Sequence, residues 1–457
     1  MPKGPMVALK RPPKPARPRP KPIIVIGAGM AGVATALHVQ NRLQQKQTHG
    51  TNKGKDEASQ VILFDRVPPA TPESSASFGN AGVLSAASIV PILQPKLVWQ
   101  APAMLANKQQ PLFVKWGYLP QLLPWLVRYL PHATHHHLTK AAAALHPLLH
   151  DTLREHQALA RLADTGTKSP AAKYIKPCHY IYVYKSRAGF MADNLAWRMR
   201  KHYGYGWQEY ADADLHRYEP LLAGNHNFAA SLPKHGQITS PHDYIQALVA
   251  GFVAKGGRFV KSEVSDIVYD KPQQAIKGVR ARGRDYEAAQ VVVTSGVWTK
   301  RLLGRLGIAL PLEAESGYHI DLWQPSHLPR NPLFIMHGKM VLSPMAGRLR
   351  LAGIVEFGGI SDRQSSAPLD LLMHHVKRII PNLSWQRHTT WLGHRPLLPD
   401  SIPVISPVKR VTGLYVAVGH HHIGLSAGAK SGRLLASMVL GETPAIDPTP
   451  YAIDRFI

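Results

Sequence analysis

The ten residues I-I-V-I-G-A-G-M-A-G, positions 23–32, constrain this chain more than any other stretch of it. Ile23, Ile24, Val25 and Ile26 form a short apolar β-run that leads directly into glycines at 27, 29 and 32, and V-A-T-A-L-H-V continues with helix-compatible residues. Strand, glycine turn and helix in that order make a cradle for a dinucleotide. Gly27 permits the tight turn, Gly29 lets a pyrophosphate approach the backbone, and Gly32 lets the helix pack on the strand. The free N–H groups at the helix start, around Ala28, Met30 and Ala31, then point at phosphate. The next apolar run, V-I-L-F at 61–64, ends in Asp65, placed to accept from a ribose diol, with Arg66 beside it. The interval exceeds the usual roughly 20 residues, and the polar stretch 44–60 accounts for the excess as a longer loop. A second glycine fingerprint is missing, which leaves one dinucleotide.

At 457 residues and 45% apolar content, the chain is long enough for two domains with large cores. Its apolar runs are too interrupted for a spanning helix of about 18 residues: Pro91 breaks 83–93, and Pro124 and Arg128 break 122–130. Cys178 is the only cysteine, which excludes an intramolecular disulfide and any multi-cysteine metal site and fits a core thiol. The net charge of +26 is unevenly spread, with no acid before Asp56 and none between Glu73 and Asp151. Residues 1–20 read as a disordered, basic, proline-rich arm, too poor in helix for a signal or transit peptide. Elsewhere the positive residues are scattered without an RNA-binding module or basic–aromatic interleaving, so no nucleic-acid partner is expected.

Three further segments carry a family resemblance. S-F-G-N-A-G-V-L-S at 77–85, W-L-G-H-R-P-L-L-P-D-S-I-P-V-I at 391–405 and V-G-H-H-H-I-G-L-S at 418–426 resemble the D-amino-acid dehydrogenase branch of the FAD-dependent amino-acid oxidoreductases. That superfamily also holds the D-amino-acid, glycine and sarcosine oxidases. A-A-Q-V-V-V-T-S-G-V-W-T at 288–299, E-S-G-Y-H-I at 315–320 and Q-P-L-F-V at 110–114 are similar as well, and the likeness runs from about Ile23 to Phe456. It implies an α/β fold with a Rossmann-like FAD domain built from 21–93, 235–310 and 394–457. A mixed-sheet α+β substrate domain would come from 94–234 and 311–393. The continuous apolar runs at 23–26, 61–64, 291–293 and 414–418 suit a parallel sheet. Helical spacing marks 244–254, and Y-I-Y-V-Y at 180–184 suits a strand. The apolar segment 120–130 suits a helix packed inside the substrate domain, though its Trp, Tyr and Arg also suit a membrane interface.

The resemblance implies non-covalent FAD, since Cys178 does not lie where related covalent flavoproteins carry their cysteine. Expected FAD contacts are the turn residues Gly27, Ala28, Gly29, Met30, Ala31 and Gly32, then Asp65 and Arg66, then Ser77, Phe78, Asn80, Ala81, Gly82 and Val83. Val264 begins a strand whose backbone would read the adenine, and Gly296 and Trp298 follow the 291–293 strand. At the C-terminal end, Gly419, His420, His422, Ile423, Gly424, Leu425 and Ser426 would turn past the flavin, with a helix starting near Leu425 or Ser426. Consecutive histidines on an extended strand point to opposite sides, so His420, His421 and His422 are read as loop, not as a metal site.

The chemistry implied is oxidative deamination of a D-amino acid: hydride passes from the α-carbon to flavin N5, and water hydrolyses the imine to a 2-oxo acid and ammonia. Tyr318 and His319 are expected to position the substrate, and Arg395 to supply a fixed cation near the flavin. Relatives carry a carboxylate-binding arginine just after the first strand of the 340–353 hairpin, where this chain has Ser343, Pro344 and Met345. Arg348, Arg350 or Arg395 is left to supply the bidentate fork. Ser316 also departs from the arginine common before G-Y-H. Secondary amines such as D-proline, D-hydroxyproline, sarcosine or glycine are the alternative substrates, and a basic RNA-associated flavoprotein is the second alternative. Electrons would pass to a quinone or other acceptor, from a cytoplasmic protein, with peripheral contact at the inner face of the cytoplasmic membrane as an alternative placement.

Overall fold

Ile23–Ile26 forms the middle of a six-stranded sheet in the order Val404–Pro407, Leu414–Val418, Gln290–Val293, Ile23–Ile26, Val61–Asp65, Arg258–Lys261. Neighbours are parallel except for the first pair, which is antiparallel. The computed structural model describes residues 20–49, 60–69, 71–72, 75–91, 112–166, 170–224 and 226–457. The arm up to residue 19, residues 50–59 of the expected loop, and residues 110–111 of the Q-P-L-F-V match lie outside the described residues.

Alternate residues of these strands face different layers. Ile23, Val25, Val61, Leu63 and Val292 pack under the helices Met30–His49, Pro241–Ala254 and Gly424–Val439. Ile24, Ile26, Ile62, Phe64, Val291 and Val293 pack on an antiparallel sheet of Val264–Asp270, Ala275–Ala281 and Arg284–Glu287. Both faces are covered, which is why the strands read as unbroken apolar runs. Each fully buried Val, Leu or Ile contributes about 1.5–3 kcal/mol before conformational entropy is counted.

Small residues set the helix positions. A Cβ added to Gly428 would come within 2.5 Å of Met30 Cγ, and one on Gly432 within 2.4 Å of Ala34 Cβ. The helices Met30–His49 and Gly424–Val439 therefore cross in direct contact near their starts, which brings two N-termini side by side. The first helix continues through residues 44–49, so the start of the expected loop is helical instead. The Val264 strand belongs to the antiparallel layer and not to the parallel sheet.

The second large sheet has ten strands among the described residues. Its path runs Arg387–Leu397, Glu313–Trp323, Arg348–Phe357, Met340–Met345, Leu333–Ile335, Ile175–Tyr184, Phe228–Ile238, Val83–Leu84, with Leu112–Val114 and Gln208–Ala211 added at the side. The expected hairpin turns at Gly347, whose φ of +70° favours glycine. Two expected domain boundaries fall inside strands: 234/235 within Phe228–Ile238 and 393/394 within Arg387–Leu397. The hydrogen-bonded ladders run on through both points.

The expected apolar helix is Leu119–Tyr129. Leu122, Trp125 and Tyr129 pack with Phe357 and Leu397, while Leu123 and Val127 are exposed on the opposite side. Among the described residues no helix is long and apolar enough to cross a membrane. Cys178 lies in the Ile175–Tyr184 strand, and burial pushes its thiol up to about 12, so it stays protonated and inert at neutral pH.

Candidate active site

One cavity of about 1250 Å³ lies at the carboxyl ends of the parallel strands and runs between that sheet and the ten-stranded sheet. Its first end is the glycine turn. Gly27 has φ +107°, and a Cβ there would sit 2.6 Å from Thr294 O; a Cβ on Gly32 would sit 1.9 Å from Gly27 O. Gly29 is open instead, with nothing nearer to an added Cβ than Ser77 Oγ at 3.7 Å. Asp65 Oδ2 accepts from the Ala28 amide at 2.7 Å, so this carboxylate also fixes the turn. Burial outweighs the hydrogen bonds from Ala28 and Val67 and the charge of Arg66, and raises the Asp65 carboxyl above its ordinary value. Arg66 lies over the Trp298 ring at 4.0 Å.

The second end is the start of the Gly424–Val439 helix, preceded by the turn His421–Ile423. The helix begins at Gly424, slightly earlier than expected. It has no side-chain cap and no acidic residue in its first turn, so its leading amides and their partial positive charge face the cavity unneutralised. Thr152 Oγ1 and His156 Nε2 hold the Ser426 and Leu425 carbonyls at 2.6 and 2.9 Å, and Ser426 Oγ joins the helix to residues 83–85.

The three histidines are neutral structural groups. His420 Nε2 meets Ser431 Oγ at 3.0 Å, and His421 Nε2 accepts from the Leu398 amide at 2.9 Å. Burial lowers His420 and His422 to about 4 and His421 to about 3, with Arg395 adding to the effect on His422. No group of three metal-ligating side chains is arranged to hold an ion among the described residues.

Of the expected cofactor contacts, Gly27, Gly29, Met30, Ala31, Asp65, Arg66, Ser77, Asn80, Ala81, Val83, Val264, Gly296, Trp298, His420, His422, Ile423, Gly424, Leu425 and Ser426 line this cavity. Ala28, Gly32, Phe78, Gly82 and Gly419 do not and act from behind. Gly82 and Gly419 have φ of +74° and +81°, and an added Cβ would meet Ile238 O at 2.4 Å and Leu398 Cδ1 at 2.2 Å.

The expected substrate groups need a larger correction. Asp321 stands directly opposite Arg350 in the antiparallel register. Arg350 Nε and Nη2 form a fork onto Asp321 at 2.8 and 2.8 Å, and Arg348 Nε adds a third bond at 2.9 Å. The remaining Arg350 nitrogen, Nη1, donates to the Phe78 and Asn80 carbonyls at 2.9 and 2.8 Å, and His319 Nδ1 to Gly79 O at 3.1 Å. Trp391 closes over the same loop, since a Cβ on Gly79 would fall 1.9 Å from its ring.

Arg350 and His319 are thus a buried clamp on residues 78–80, Arg348 braces Asp321 and the Ala346 carbonyl, and none of the three lines the cavity. Burial and the Arg350 charge lower His319 to about 3, so it is a neutral ring and not a charged one. Tyr318 points to the other face, where its Oη donates to Glu356 Oε2 at 2.7 Å, and it also stands away from the cavity. Both Tyr318 and His319 therefore lack the direct access expected of substrate-positioning groups. Arg348 and Arg350, two residues apart on one strand, face the same side, and Asp321, two residues beyond His319, was the signal that this side is already neutralised.

Arg395 does reach the cavity. It pairs with Glu315 across the ladder at 2.9 Å, its guanidinium fills the space above Gly317, and both partners line the wall. Sequence reasoning missed Tyr180, Tyr182, Arg200, Phe334, Trp391 and His394, which line the same side. The alternation in Y-I-Y-V-Y could have singled out the first two; nothing local marks Arg200.

Two features fit FAD: the open Gly29 backbone facing Ser77, and the uncapped Gly424 helix start at the far end of one continuous cavity. Gly32→Ala is expected to cost about 1–3 kcal/mol by overpacking and to yield protein with much less bound flavin. The ratio of flavin to protein absorbance after purification reads the effect.

Comparison with known proteins agrees with this geometry. A family model described as FAD dependent oxidoreductase matches residues 22–438. The chain is 31% identical over 445 residues to a D-amino-acid oxidase of Bradyrhizobium diazoefficiens, covering 96% of this chain and 100% of that one. It is 27% identical over 445 residues to a D-amino acid dehydrogenase of the same organism, covering 95% and 98%. In fold it is similar to glycine oxidase from Geobacillus kaustophilus, with a TM-score of 0.73 at 21% identity over 96% of this chain and 100% of that one.

Proposed function

We propose that this chain, which belongs to the DAO family of FAD dependent oxidoreductases, oxidises D-amino acids to 2-oxo acids and ammonia through the imine. Bound non-covalently, FAD would supply the acceptor for the hydride leaving the α-carbon. The observation that carries the reading is the single cavity joining the glycine turn and the Gly424 helix start to a wall containing Arg395. Its likeness in sequence to chains named D-amino-acid oxidase and D-amino acid dehydrogenase supports the D configuration.

The chain's own groups divide the work. Leading amides of the Gly424–Val439 helix stabilise negative charge where it collects on a bound group. Arg395, fixed by Glu315, adds a preorganised cation on the same side. Trp391, Phe334 and Tyr182 form an aromatic wall that keeps water from the reacting carbon. None of the neutral histidines is poised as a base near pH 7, so the substrate amine must give up its proton to solvent on the way in.

Arg395→Met is expected to keep FAD yet slow substrate-dependent flavin reduction by about 10²-fold, the usual cost of removing one preorganised electrostatic group. It leaves Glu315 unpaired, so Glu315→Gln/Arg395→Met serves as the structural control. Rapid-mixing absorbance under anaerobic conditions measures both, and wild-type rates in Arg395→Met would remove it from the reaction. The function itself is tested by product analysis. D-alanine should give pyruvate and ammonia in step with reduction of a quinone analogue or oxygen, and the faster acceptor identifies the electron route. Turnover of sarcosine or D-proline alone would replace D-amino acids with secondary amines as the substrate class.

A further inference from the structure

Arg200 is a cavity-wall arginine with no ion pair among the described residues; Asp193, on the same wall, accepts from Tyr184 Oη. It sits in the helix Asn194–His202 and is 6% exposed. Nε donates to Ala87 O and Nη2 to Tyr182 Oη, both at 3.4 Å, and the guanidinium lies 4.6 Å from the Tyr182 and Trp197 rings. Both hydrogen bonds are longer than the usual 2.7–3.2 Å. Nη1 is buried with no hydrogen-bond partner among the described residues.

The other arginines near the cavity have partners. Arg301 pairs with Glu263 and Arg395 with Glu315, Arg66 lies over Trp298, and Arg348 and Arg350 belong to Asp321. A buried guanidinium with no carboxylate in ion-pair contact is costly to maintain unless an anion completes it. Its position suits that anion. Arg200 is tied to Ala87, two residues and at most ~7 Å of chain from Ser85, whose amide donates to Ser426 Oγ at the helix start. Tyr180 and Tyr182 share this part of the wall, and burial raises both above the ordinary tyrosine value, so their hydroxyls remain donors.

We propose that Arg200 binds the carboxylate of the substrate, supplying from the Asn194–His202 helix the guanidinium fork that residues 343–345 of the hairpin do not provide. Its long bonds to Ala87 and Tyr182 yield as the fork turns onto the carboxylate, and Tyr182 Oη then donates to the same group. This rests on the amino-acid reading of the preceding subsection, and the two can fail separately.

The test uses FAD-loaded wild type, Arg200→Met and Arg200→Lys. The probes are D-alanine as substrate, benzoate as a non-reacting carboxylate that shifts the flavin spectrum, and benzamide as the uncharged control. Arg200→Met should weaken benzoate and raise the KM of D-alanine by about 30-fold or more, as when one partner of a buried charge pair is removed. Benzamide should bind all three proteins alike, and Arg200→Lys should recover benzoate only in part, because an ammonium cannot form the fork. Unchanged benzoate binding in a flavin-loaded variant overturns the proposal. If Arg200→Met loads no FAD, the lysine variant decides by the same comparison. A wild-type flavin that no amino acid reduces, but that benzoate perturbs only when Arg200 is present, sinks the amino-acid reading alone. Reduction by D-alanine with unaltered benzoate binding in the variants sinks Arg200 alone.

Discussion

Asp321→Asn is expected to destabilise the protein by about 3–5 kcal/mol and to loosen FAD with it. The substitution removes one negative charge from between two buried arginines; among the described residues no other carboxylate pairs with either, and Asp243 acts on Arg348 only from farther away. Arg350 is 1% exposed and Arg348 8%, so water cannot take over. Burial alone would raise the Asp321 carboxyl, but Arg350, then His319 and Arg348, hold it down to about 2. That depression means its stabilising contribution is present above about pH 4 and is lost only as pH falls toward 2. Arg350 also holds the Phe78 and Asn80 carbonyls, and Ser77 Oγ in the same loop accepts from the Met30 amide at 3.2 Å. The damage therefore travels from the substrate sheet to the nucleotide cradle. Thermal unfolding and the FAD dissociation constant should both worsen in Asp321→Asn, and a variant with wild-type melting would show that the clamp carries little of the stability.

Acid should unfold the wild-type protein as pH falls through the range where exposed histidines take up protons. Burial is the main cause that lowers His156, His235 and His420 to about 4 and His319 to about 3. All four are nearly inaccessible, at 0%, 1%, 6% and 2% exposure. A histidine depressed in the folded state stabilises it fully above its unfolded value of about 6.5. The contribution fades as pH falls from there toward the folded value, because the unfolded chain takes up the proton first. Each one held near 4 forfeits roughly 3 kcal/mol by pH 4, and four such groups match the roughly 5–15 kcal/mol that holds a typical domain together. His156 supports Leu425 O and His235 Nε2 accepts from the Ala87 amide, so the site should fail with the fold. Circular dichroism and bound-flavin fluorescence should show cooperative loss between about pH 6 and 4. Full retention of both at pH 4 would mean these rings reach water more easily than their burial implies.

The nucleotide half of the molecule was legible because backbone geometry dictates residue type there. Gly27, Gly29 and Gly32 each meet a steric or conformational demand that a side chain would violate or obstruct, and the apolar runs at 23–26, 61–64, 291–293 and 414–418 are the strands of one sheet. The substrate half was not legible to the same depth. Tyr318, His319, Arg348 and Arg350 have the right chemistry, but their availability depends on partners across a ladder: Glu356 for the tyrosine, Asp321 for the arginines. Pairing register is a long-range property that single-strand alternation cannot show. Arg200 was invisible for the same reason, since its importance lies in the contact it lacks. Two of the expected domain boundaries lie within strands, Phe228–Ile238 and Arg387–Leu397, whose ladders are set by pairing across the sheet and not by local sequence.

The most direct test of the central claim is anaerobic titration of the purified yellow protein with D-alanine and, separately, L-alanine. The D enantiomer should bleach the flavin absorption to completion, with one equivalent of pyruvate formed per flavin, and the L enantiomer should leave it oxidised. A flavin untouched by D-alanine and by a panel of other D-amino acids, or reduced equally by both enantiomers, would contradict the account.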